Sequence, residues 1–192
     1  MGGRIGDALA IMDWLVTHEI QATIFMTGAM AESPNTDAAR QVLAVIDAHP
    51  AQFTLGNHSY THTDFRDLNA TEIADELART EAAIAPSCGQ DPRPFFRPPY
   101  GGHDDAALEA IGANHYAYTV LWDVDTIDWR PIHNDPPGPT ADEIVAKVLD
   151  NARGGSIVLM HLGGYQTFEA LPRVVEGLRA GGFDLVNLDA MF

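Results

Sequence analysis

Short apolar, β-favouring runs alternate with helical stretches along almost the whole chain, and most links between them are short. The runs are Ala22–Met26, Gln52–Leu55, Phe95–Phe96, Tyr116–Val124, Ser156–Met160 and Asp184–Leu188. Helical periodicity falls between them. Leu9, Ile11, Met12, Leu15 and Val16 lie to one side of a stretch that Asp7 is placed to cap and that runs to about His18. Thr36–His49, Ala70–Ala85, Asp104–Ile111, Thr140–Asn151 and Phe168–Ala180 follow, with Pro50 and Gly181-Gly182 as stops and Thr140/Glu143 spaced for a capping box. Such alternation needs parallel strands with helical crossovers. The expected fold is therefore α/β, a parallel sheet closed or curled into a β/α barrel. At 192 residues and 46% hydrophobic the chain can bury one sizeable core, and a single domain over 1–192 is the expectation.

In such folds chemistry gathers at the C-terminal ends of strands. Four strand ends here carry chemically able residues: Gly56 to His62, Arg97 to Tyr100, Asp125 to Trp129, and His161. His58 and His62 are four apart, and on one helical turn or a tight loop both imidazoles reach one point, as a borderline metal such as zinc requires. Arg97-Pro98-Pro99-Tyr100 is stiff; the Arg fork suits a carboxylate, and the Tyr100 N–H suits an oxyanion. Asp125 and Asp128 put two carboxylates at one strand end; a carboxylate beside a histidine would orient it and stabilise its protonated form, and Trp129 would wall a sugar face or an acetyl methyl. Taken singly, each motif reads more readily as structural: loop histidines, a surface arginine, a capping aspartate with a core tryptophan, a satisfied histidine. As a set, His58, His62, Arg97, Asp128, Trp129 and His161 are expected to converge on one cleft.

Bulk charge narrows the partners. Eleven Lys and Arg against 27 Asp and Glu give a net charge of −16, which repels phosphate backbones and anionic bilayers, so neither nucleic acid nor membrane is an expected partner. No apolar run reaches about 18 residues, and no signal peptide is visible. The one cysteine, Cys88, cannot form an internal disulfide. Pro131–Pro139 is a long loop.

The ordered set Ala22-Thr23-Ile24-Phe25-Met26-Thr27-Gly28, Gly56-Asn57-His58-Ser59-Tyr60-Thr61-His62, Arg97-Pro98-Pro99-Tyr100, Asp125-Thr126-Ile127-Asp128-Trp129 and Leu159-Met160-His161 resembles the polysaccharide deacetylase family, the NodB-homology domain of carbohydrate esterase family 4. The resemblance implies a distorted (β/α)7 barrel and metal-dependent removal of acetyl groups from an N-acetylglucosamine polymer or acetylated xylan. It implies a divalent metal, zinc first with cobalt or nickel as alternatives, held by His58 and His62. By the same resemblance Arg97 orients the catalytic base, Tyr100 supplies the oxyanion N–H, Trp129 is the apolar wall, Asp128 tunes His161, and His161 protonates the leaving amine. An extracytoplasmic or cell-envelope location is implied in the same way.

One family motif departs. The Thr-Phe-Asp-Asp sequence that supplies the base and third metal ligand is absent from the twenty-one residues before Ala22. The expectation is an N-terminally truncated domain lacking its first strand, weakly active or inactive alone and weak in zinc binding unless Asp64 or Asp7 supplies a ligand. A non-catalytic glycan- or partner-binding remnant, and a hydrolase of C–N bonds in small amides or imides, are the competing readings.

Overall fold

The computed structural model describes residues 4–192. Its contacts gather into two compact units, residues 22–121 and residues 4–21 with 122–192.

In the first unit, β1 (Ala22–Met26), β2 (Phe53–Asn57), β3 (Phe95–Phe96) and β4 (Tyr118–Thr119) form one sheet in that order. All three pairings are parallel, with Ala22 to Met26 in register with Phe53 to Asn57. β2 is buried along its whole length, Thr54 and Asn57 included, as expected of a strand covered on both faces. The helices are α2 (Gly28–Ala31), α3 (Ala38–Ala48), α4 (Ala70–Ile84) and α5 (Asp105–Ala113). Ile73 and Leu77 of α4 and Ala107, Ala110 and Ile111 of α5 pack with Phe65, Phe96 and Tyr116 in one cluster. The Phe65 and Phe96 ring centroids stand 4.7 Å apart. α4 starts at a capping box in which the Asn69 side chain accepts from the Thr71 and Glu72 N–H groups and Glu72 accepts from Asn69 N.

In the second unit, β5 (Val124–Asp125) and β6 (Val158–Leu159) pair in parallel. The helices are α1 (Ala8–Thr17), α6 (Ala141–Asn151) and α7 (Thr167–Ala180). Ile144 and Val148 of α6 meet Ala170, Val174 and Leu178 of α7 over Val124. A Cβ at Gly177 would stand 2.6 Å from Leu149 Cδ1, so the Leu149 side chain of α6 lies directly over this glycine of α7. The Thr140/Glu143 capping box of α6 is formed as expected.

The α/β fold with parallel strands is as expected, and three local expectations are corrected. The Tyr116–Val124 run is two strands rather than one: Tyr118 N and Val120 N donate to Pro94 O and Phe96 O, whereas Asp123 N and Val124 N donate to Ile157 O, so no single ladder spans it. Asp184–Leu188 is not a sheet strand; Asn187 N donates to Gln21 Oε1, and its side chain accepts from Ala190 N to form the 3-10 turn Leu188–Ala190. Asp7 occupies the N-cap position of α1 but makes no side-chain capping bond.

Candidate functional site

The first unit carries the histidine pair. β2 ends at Asn57, and residues 58–62 form a loop instead of a helix, with Ser59 and His62 both at φ 65°. Left-handed backbone at non-glycine residues is held only where the surroundings over-determine it. Asn57 Oδ1 accepts from Ser59 N at 2.9 Å, and Ser59 Oγ accepts from His62 N at 3.0 Å. The loop brings the His58 and His62 rings to 4.9 Å, centroid to centroid, and the Tyr100 ring lies 4.8 Å from His62.

His58 is held in one tautomer. Its Nδ1 lies 2.7 Å from the Arg97 carbonyl, which can only accept, so Nδ1 carries the hydrogen and Nε2 keeps its lone pair. Burial pushes its pKa well below the ordinary imidazole value, and His62 nearby adds to this, so the ring is neutral. A neutral imidazole whose one N–H donates to a carbonyl keeps its other nitrogen's lone pair for a metal. The pair therefore fits two positions around a zinc-class dication. No group of three His, Cys, Asp or Glu able to hold a metal occurs among the described residues. Asp64, a candidate third ligand, instead accepts from Arg66 N, Nε and Nη2, and these bonds hold its carboxyl below the usual range.

Arg97 is buried and braces this cluster. Its Nε and Nη2 donate to the Val120 and Leu121 carbonyls, each at 3.2 Å, and the guanidinium covers the Phe25 ring. Burial lowers its pKa to about 10, so it stays a cation at neutral pH. Tyr100 sits in the 3-10 turn Pro99–Gly101 at φ 58°, with its ring exposed.

The second unit carries the Asp128–His161 pair. Asp128 is buried and gathers three donors: His161 Nδ1 at 2.6 Å on Oδ1, and His161 N at 2.8 Å together with the Thr167 hydroxyl on Oδ2. Nδ1 therefore carries the hydrogen, and Nε2 is the ring nitrogen not committed to Asp128. Asp125 accepts from Ile127 N, and Ile127 adopts φ 58°; this turn follows β5 and leads into Asp128. Gly164 has no Cβ to strike Asp128 Oδ2, which one would approach to 2.6 Å. Trp129 is 49% exposed, with the Arg130 guanidinium 5.2 Å from its ring centre.

The expected set thus divides by unit: His58, His62, Arg97 and Tyr100 in one, Asp128, Trp129 and His161 in the other. The sequence reading missed three supporting residues: Asn57, Thr167 and the buried Glu76. Glu76 had a visible signal, since it is a carboxylate on the face of α4 that also carries Ile73, Leu77 and Thr80.

The profile of the polysaccharide deacetylase family matches residues 8–119. A peptidoglycan-N-acetylglucosamine deacetylase of Bacillus cereus is 32% identical over 187 residues, covering 95% of this chain; the chain spans 62% of that relative's length. A solved peptidoglycan N-acetylglucosamine deacetylase superposes with a TM-score of 0.83 at 30% identity, over 100% of this chain and 84% of that one. A carbohydrate esterase family 4 pseudoenzyme from Bacillus anthracis superposes with a TM-score of 0.81 at 27% identity, over 99% of this chain and 66% of that one.

Proposed function

The chain belongs to the polysaccharide deacetylase family, and from that premise we propose that it removes acetyl groups from an acetylated glycan, an N-acetylglucosamine polymer such as peptidoglycan or chitin, or an acetylated xylan. In N-deacetylation water adds to the acetyl carbonyl, the C–N bond breaks, acetate leaves and the amine nitrogen takes a proton. The observation that carries this reading is the buried Asp128, which binds His161 through both the ring Nδ1 and the backbone N. An imidazole fixed in this way releases its proton from Nε2 to a leaving amine. His58 and His62 are the residues that hold a divalent metal, zinc before cobalt or nickel. Bound there, the metal supplies Lewis acidity to the acetyl carbonyl and to a water. Arg97 keeps His58 in its ligating tautomer, Tyr100 offers a backbone N–H to the oxyanion, and Trp129 lines the sugar.

The test is acetate release from a chitooligosaccharide and from acetylated xylan, with zinc or cobalt added. His161→Ala is expected to abolish turnover with metal uptake intact; His62→Ala is expected to lose both. Acetate release unaffected by His161→Ala would sink the reading.

A second reading has its own support. Two imidazoles without a third donor among the described residues, and the likeness to a pseudoenzyme, favour a chain that binds glycan without cleaving it. Saturable chitooligosaccharide binding with no acetate released would select it, and turnover of small amides alone would reassign the substrate.

A further inference from the structure

The loop of residues 58–62 has an unusual support. His58 N donates to Met26 O at 3.0 Å, Ser59 N to Asn57 Oδ1, and His62 N to Ser59 Oγ. The two N–H groups between them, Tyr60 and Thr61, both donate to one oxygen, Glu76 Oε2, at 2.8 Å each. The other carboxylate oxygen accepts from the Thr61 hydroxyl at 2.9 Å. Glu76 is 6% exposed and lies on α4, a separate element from the loop. On the carbonyl side, Gly28 N and Ala29 N of α2 donate to Ser59 O and Tyr60 O at 3.0 and 3.1 Å.

A charged carboxylate is costly to bury, and it is retained where its bonds are charge-assisted and nearly complete. Here its partners are the middle of a loop with two left-handed residues, one of which is His62. Without an acceptor for residues 60 and 61, the loop would have to expose those N–H groups to water. It would then leave the conformation that brings the two rings to 4.9 Å. We propose that Glu76 is a positioning residue, fixing the loop so that His58 and His62 present their ring nitrogens together. It acts through the loop and touches neither metal nor substrate. The inference rests on the reading of the two histidines as metal ligands.

The experiment compares Glu76→Ala, Glu76→Gln and Glu76→Asp with Thr80→Val. Thr80 donates its buried hydroxyl to Glu76 O, so its loss weakens α4 without removing an acceptor from the loop. Zinc affinity by calorimetry is expected to fall about tenfold or more in Glu76→Ala, the usual cost of losing support behind a ligand. Glu76→Gln is expected to stay within about threefold of the unaltered chain, because its amide oxygen still takes both N–H groups and its NH2 reaches the Thr61 hydroxyl. Thr80→Val is expected to lose stability and keep zinc. If Glu76→Ala fails to fold, Glu76→Asp decides, since the shortened carboxylate retreats from the loop with its charge retained. Zinc binding in either variant equal to that of Thr80→Val overturns the proposal. Amide exchange at Tyr60, Thr61 and His62 supplies a metal-free readout. It is expected to accelerate in Glu76→Ala and Glu76→Asp beyond the change at other amides of residues 22–121. If the unaltered chain takes up no zinc, the metal reading of the pair fails, and the exchange result alone tells whether Glu76 holds the loop.

Discussion

Tyr116→Phe removes one oxygen from the core of the first unit, and its cost can be worked from the partners. Tyr116 is 2% exposed; its hydroxyl donates to Glu81 Oε1 at 2.9 Å and accepts from Asn57 Nδ2 at 2.7 Å. Burial pushes the phenol pKa far up, with Glu81 adding to the rise, so the hydroxyl is neutral at any working pH. Asn57 is fully buried, its second amide hydrogen is committed to Leu77 O at 3.2 Å, and its Oδ1 to Ser59 N. The substitution therefore strands one amide hydrogen of Asn57 inside the core. Glu81 is different: its side chain is 27% exposed and 3.6 Å from Arg93, so water and the guanidinium replace its lost donor. A stranded buried donor costs about 1–3 kcal/mol, and the midpoint of about 2 kcal/mol is the expected loss. For a chain of this size that lowers the thermal midpoint by about 4–8 °C. Urea titration should show the lower midpoint at unchanged slope. Tyr100→Phe, at a 71% exposed ring, should change stability by less than about 0.5 kcal/mol. A Tyr116→Phe loss as small as that would refute the argument, since it would mean that Asn57 finds another acceptor.

Three further outcomes are expected. Because burial holds the His58 pKa below its unfolded value, the native chain binds fewer protons than the unfolded chain below about pH 6.5. This contribution to stability is complete above that pH and is lost as pH falls, by at most about 1.4 kcal/mol at pH 5.5, and His58→Gln should flatten the difference between pH 7.5 and 5.5. Asp128→Asn cannot accept all three of its present donors; nitrogen NMR should show His161 leaving its Nδ1–H tautomer, with a stability loss of about 1–3 kcal/mol. Asn69→Ala breaks the α4 capping box and should cost about 1 kcal/mol in urea titration, as should Thr140→Ala at α6.

What could be read from the sequence depended on how far away the partner lay. Thr140 and Glu143 are three residues apart, and spacing alone announced their capping box. His58 and His62 share one loop, so their meeting was legible, although a loop held by two left-handed residues replaced the helical turn that spacing also allowed. The Tyr116–Val124 run shows the opposite case. Its composition is β-favouring throughout, yet residues 118–120 bond to β3 and residues 123–124 to Ile157. Propensity carries no information on which neighbour a backbone will find.

The polar residues behind the candidate site follow the same rule. Asn57 reaches Tyr116, Asp128 reaches His161 and Thr167, and Glu76 reaches Tyr60 and Thr61. Asp128 is legible through the family resemblance of the Asp125-to-Trp129 motif. Asn57 and Glu76 carry no such motif role and read as ordinary polar positions. Periodicity nevertheless places Glu76 between Ile73 and Leu77 on the inward face of α4, where an unpaired carboxylate would be costly. A carboxylate on that face needs donors, and the N–H groups of an irregular loop need acceptors that no strand ladder supplies. The loop of residues 58–62 meets that condition, and without the Glu76 carboxylate it should lose the close approach of its two histidine rings before the first unit loses its fold.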